Sequence, residues 1–182
     1  MSGKIEWIGI AISLLAAFAI FTDLLWGKIY NWITITGLVL GVVYSTSTSG
    51  WDGFGHALFA ALVGFVLYGW MFYLRFMGGG DVKLLMAFGA WGGVHFVEEV
   101  AILGIALGGV LALLVLLFKG RLITFSKKLY RFLLSAFVKE LELQFPTIDR
   151  RLTMPFGVSL SIAAVWTYWG HPLIKGGLIL WP

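Results

Sequence analysis

Of the nine acidic residues in this 182-residue chain, two have a setting that supports chemistry. Asp23 closes one long apolar run, and Asp81 opens another directly after Gly78-Gly79-Gly80. Two carboxyl groups within a few ångströms of each other share a proton near neutrality, because both cannot ionise without strong mutual repulsion. The ionised member then takes a proton from water, while its protonated partner stabilises an oxyanion and supplies a proton to a leaving amine. This is what paired aspartates need in order to hydrolyse an amide bond. Helix dipoles favour Asp81, at a helix amino end, as the resting base and Asp23, at a helix carboxyl end, as the acid.

The other acids read as solvated residues. Glu6, Asp52, Glu98 and Glu99 fall near the ends of apolar runs or between them, and Glu140, Glu142 and Asp149 belong to a charged stretch. The glycines before Asp81 are poor helix formers that let another backbone approach closely, as a peptide substrate must. A phosphate-binding reading of that run fails, since no strand precedes it and the acid would repel an anion. Lys83 points away from Asp81 on an ideal helix and reads as a snorkelling residue at the interface. His56, His95 and His171 lack ligand spacing and the chain has no cysteine, so neither a metal site nor a cofactor is expected.

The elements that must position the two aspartates are membrane helices. With 60% hydrophobic and 12% charged residues and a mean hydropathy of +0.94, the chain is too apolar for water. Its apolar runs have the length of helices that cross a bilayer, not of barrel strands. The expected fold is an all-α membrane protein, a single polytopic domain over residues 1–182. About six spans lie near residues 5–22, 29–44, 54–76, 82–96, 100–118 and 155–169. The string Ser45 to Gly50 reads as a loop after the second span. Trp7, Trp26, Trp32, Trp51, Trp91, Trp169 and Trp181 stand near span ends, as interfacial anchors do. The first apolar run has no clear cleavage site and reads as a retained span.

The basic residues orient this bundle. Eleven of the 13 Lys and Arg fall in the first, third and fifth loops, and only Lys4 and Lys175 fall on the other side. By the positive-inside rule the odd loops are cytoplasmic and both termini lie outside, which places Asp23 and Asp81 at the cytoplasmic face. Two acids at one depth point to a shared polar site, since an isolated acid there costs several kcal/mol. The net charge of +4 reflects the same asymmetry and gives no reason to invoke nucleic acid. In the loop 119–153, Leu122, Phe125, Leu129, Phe132, Leu133 and Ala136 recur at helical spacing between basic residues, predicting an amphipathic helix in the interface with membrane lipid.

Three stretches together resemble the type IV prepilin peptidase family. Gly78-Gly79-Gly80-Asp81-Val82-Lys83-Leu84-Leu85 is similar to its GxGD motif. Asp23, followed by Ile29 and Asn31, resembles its first aspartate motif, and Met154-Pro155-Phe156-Gly157 its Pro-Phe-Gly element. The usual Arg and Pro of the first motif are replaced, with Leu25 and Tyr30 near those positions, and the expected form is a compact one without the cysteine-containing amino-terminal domain of the larger members. The resemblance implies an aspartyl endopeptidase of the inner membrane that cuts the basic leader from prepilin or pseudopilin precursors at the cytoplasmic face. Asp23 and Asp81 would be catalytic. Gly78, Gly79, Gly80, Lys83, Asn31, Pro155 and Gly157 would bind substrate or shape the loops. Proteolysis without methylation is expected of this compact form. Two alternatives stand beside it. One is a transporter or channel with paired acids, against which the chain shows no internal repeat. The other is a presenilin-like GxGD protease, whose Tyr-Asp and Pro-Ala-Leu elements are here Thr22-Asp23 and Pro155-Phe156-Gly157.

Overall fold

The computed structural model describes residues 2–74, 76–118 and 156–170, and all regular structure among them is helical. The helices are α1 (Ser2–Trp26), α2 (Asn31–Tyr73), α3 (Gly79–Phe118) and α4 (Phe156–Gly170). Pro155, Arg75 and the loop 119–153 with its expected amphipathic helix lie outside the described residues. The chain divides into two compact units, Met1–Gly108 with Pro155–Pro182, and Gly109–Met154. The aspartates belong to the first. Of the second, the described part is the final stretch of α3, where Val110, Leu113, Leu114 and Leu117 are exposed.

Both long helices are interrupted by a glycine. Gly50 adopts φ 64°, ψ −143° inside α2, and Gly93 adopts φ 82°, ψ −176° inside α3. A Cβ at either position would oppose the backbone, so only glycine turns the chain there without strain. After Gly50 the helix doubles back, so that Gly53 lies against the Ser45 carbonyl. After Gly93 it doubles back again, bringing Ala101 to Tyr68 and Gly104 to Leu160. The described residues thus form six helical segments, although only α1, α2 and α3 are both long and apolar enough to cross a membrane.

The predicted loop at 45–50 is helical up to Gly50. Its hydroxyls bond back to carbonyls of the same helix, Thr46 Oγ1 to Val42 at 2.7 Å, Ser47 Oγ to Tyr44 at 2.7 Å and Thr48 Oγ1 to Ser45 at 3.1 Å. Such bonds let a polar string remain helical where water is scarce. The reversal expected near residues 97–99 likewise falls earlier, at Gly93.

Small residues set the packing of α1 on α4. Gly9, Ile12, Ala16, Ala19 and Asp23 form a buried stripe on α1, and Gly157, Ser161, Ala164 and Tyr168 form one on α4. Both run at spacings of three and four, the seam of closely packed helices. Gly9 meets Tyr168 at one end and Asp23 meets Gly157 at the other, so the helices are antiparallel. Backbones approach closely here because small side chains leave room, which matters where no hydrophobic force drives helices together. Outward, Leu14, Phe18, Phe21, Leu24 and Leu25 of α1 are each more than half exposed. Such an apolar surface suits hydrocarbon and not water.

Candidate active site

Asp23 and Asp81 reach the same end of the first unit by different routes. Asp23 lies in the last turn of α1, one helical turn before Gly27, whose N–H donates to the Asp23 carbonyl at 2.9 Å. Gly27 has φ 59°, the left-handed conformation that closes a helix. Three residues later Tyr30 caps α2 in an extended conformation, φ −75° and ψ 140°. The connection Gly27 to Tyr30 is therefore tight, and it returns the chain to the end of the bundle from which α3 and α4 also start.

Each carboxylate caps a helix. Asp81 is the third residue of α3, and its Oδ2 accepts the N–H of Gly78 at 3.1 Å while its own N–H donates to the Gly78 carbonyl at 3.2 Å. This is the acid half of a capping box, in which a side chain on the third helical residue satisfies the donor at the cap. Asp23 Oδ2 accepts the N–H of Val158, the third residue of α4, at 3.3 Å. An N-cap side chain makes such a bond. Pro155, the residue before α4 in sequence, has no side-chain acceptor, and a carboxylate from α1 serves in its place.

Both side chains are buried, with Asp23 7% and Asp81 8% exposed. The dipole argument that separates them in the sequence does not separate them in the fold. Asp81 faces the amino end of α3 and Asp23, although it belongs to the carboxyl end of α1, faces the amino end of α4.

Of the other expected site residues, Gly78 and Gly157 lie against the aspartates themselves. Gly78 would bring a Cβ to 3.2 Å from Asp81 Oδ2, and Gly79 one to 3.3 Å from the Phe72 ring at the end of α2. Gly80 abuts Ile29, and Gly157 abuts both Ile29 and Asp23. Lys83 Nζ donates to Asn31 Oδ1 at 2.9 Å across an exposed surface, which ties the first turn of α3 to the first turn of α2. Lys83 and Asn31 thus meet each other, 52 residues apart in sequence. Of the expected set only Pro155 lies outside the described residues.

Two contributors escape a reading by residue type. Val158 acts through its backbone N–H, which no side chain advertises. Tyr68 is fully buried, donates to the Ala101 carbonyl at 2.9 Å and stands edge-on to Phe156 with centroids 5.9 Å apart, bracing the first turn of α4. In the sequence it is one aromatic among many.

A sequence model of the type IV leader peptidase family matches residues 10–125, more than half of the chain. The chain belongs to that family. Membership in the type IV leader peptidase family makes it a leader-peptidase-like protease, and together with its apolar helices it marks a multi-pass membrane protein. Comparison with curated proteins and with solved structures gives no match.

Proposed function

We propose that the protein is an aspartyl endopeptidase that removes the leader from prepilin or pseudopilin precursors, with Asp23 and Asp81 as its catalytic pair. The observation that carries this reading is the placement of two buried carboxylates from separate helices at one end of the bundle, each held by a backbone N–H at a helix start.

A water between the two carboxyl groups loses a proton to the ionised one and attacks the scissile carbonyl. The protonated partner donates a hydrogen bond to the developing oxyanion, and its proton passes to the leaving amine nitrogen as the C–N bond breaks. Because both carboxylates sit at helix amino ends, either can begin the cycle as the base.

Gly78 leaves the approach to Asp81 open to a substrate backbone, while Gly79 and Gly80 let Phe72 and Ile29 pack on the start of α3. Gly157 lets Asp23 and Ile29 pack directly on the backbone of α4. The bond between Lys83 and Asn31 fixes the rim. The excess of Lys and Arg in the odd loops supports an inner-membrane orientation with both termini outside and the pair facing the cytoplasm, where a basic leader is presented.

The test is cleavage of a prepilin-like substrate by purified protein. Asp23→Asn and Asp81→Asn should each lower the rate by roughly 10²–10⁴-fold. Two variants that cut as fast as the native protein would exclude the pair.

A further inference from the structure

Between the start of α3, which carries Asp81, and the start of α4, which Asp23 caps, the fold inserts one aliphatic side chain. A Cβ built on Gly80, the residue before Asp81, would stand 3.1 Å from Ile29 Cβ and 3.2 Å from the Ile29 carbonyl oxygen. A Cβ built on Gly157 would stand 2.5 Å from Ile29 Cδ1, 3.1 Å from Ile29 Cγ1 and 2.8 Å from Asp23 Oδ2. The base of Ile29 therefore rests on the backbone of α3 beside one aspartate, and its tip rests on the backbone of α4 beside the other. A side chain at Gly157 would force the tip of Ile29 to shift, and one at Gly80 would need its base to give by a few tenths of an ångström.

The chain also fixes Ile29 from both sides. Gly27 closes α1 two residues earlier, and Tyr30 caps α2 one residue later. Asn31, the first residue of α2, is held to α3 by Lys83. Ile29 has little freedom to leave, and its side chain packs against the buried core.

We propose that Ile29 is a positioning residue whose side chain, wedged between the backbones of Gly80 and Gly157, sets the separation of Asp81 and Asp23. The proposal rests on the catalytic reading of the two aspartates for its meaning, but not for its test. Interiors relax only partly into a lost volume, so truncating Ile29 moves the starts of α3 and α4 relative to each other. Displacing reacting groups by about 1 Å is enough to cost roughly a hundredfold in rate.

The chain has no cysteine, so Asp23→Cys combined with Asp81→Cys introduces two unique thiols at the positions in question. Their separation is read by bifunctional thiol reagents of graded span, in detergent-purified full-length protein. Adding Ile29→Ala should change which span links them best, and adding Ile29→Leu, which keeps the volume, should not. If Ile29→Ala does not fold, Ile29→Val, which lacks only Cδ1, is read in the same way. An unchanged preference in the truncated variant overturns the proposal.

With both aspartates intact, Ile29→Ala should lower kcat roughly ten- to a hundredfold while KM stays within about twofold, and Ile29→Leu should restore most of the rate. A loss confined to KM also overturns it. The two readings fail separately. Active Asp→Asn variants would remove the catalytic pair and leave the crosslinking result intact, whereas an unchanged crosslink would remove the wedge whatever the aspartates do.

Discussion

At the scale of residues, the two aspartates each hold a helix start, and in the proposed function they carry the chemistry as well. A carboxylate that caps a helix is held in place by the donor it satisfies, which is how a catalytic group is preorganised without extra side chains. The neighbouring glycines are the other half of this arrangement. Gly157→Ala puts a methyl group against both Ile29 and the Asp23 carboxylate. Overpacking of this kind costs about 1–3 kcal/mol, and the displaced carboxylate should lose its bond to Val158. The expected outcome is a lowered thermal midpoint in detergent together with a fall in kcat of tenfold or more. The motif spacing of Asp23, Asn31, Asp81 and Gly157 made these residues visible in the sequence. What it left hidden was their pairing. Lys83 looked like a snorkelling side chain because an ideal helix turns it away from Asp81, and its true partner arrives from the start of α2.

At the scale of elements, the segments follow from hydropathy, and their joints follow from single glycines. Apolar runs of helical length mark the helical class, yet the boundary after the second run moved where hydroxyls bond to their own helix, and the one expected near 97–99 moved to Gly93. Composition marks Ser45 to Ser49 as a loop, while the backbone geometry puts the turn at Gly50 alone. Gly50 has open space around the position of a Cβ, so substitution there tests the backbone and nothing else. Gly50→Ala should cost roughly 1–3 kcal/mol, the range for a residue forced into a sparsely populated region, and thermal unfolding in detergent would measure it. Gly55→Ala serves as the control, since it also faces open space but lies within the following helix and should be neutral or stabilising.

At the scale of the whole molecule, the surface and the charge distribution make a joint prediction. The exposed apolar side chains of α1, α2 and α3 require hydrocarbon around them, and the basic residues favour one side of it. Single cysteines placed in this cysteine-free chain should label accordingly: Lys28→Cys from the cytoplasmic side of oriented vesicles and Asp52→Cys from the opposite side. The reverse pattern would invert the bundle and move the aspartates to the other face. The helical membrane class is legible in the linear chain, because hydropathy is a property of it, and motif spacing alone singles out the two aspartates and the glycines beside them. Only the tertiary structure decided that Asp23 caps α4, that Lys83 meets Asn31 and that Ile29 lies between the two sites. Those contacts depend on where helices distant in sequence begin relative to one another. That register is set by close packing of small residues and by turns at Gly27, Gly50 and Gly93, and no local pattern encodes it.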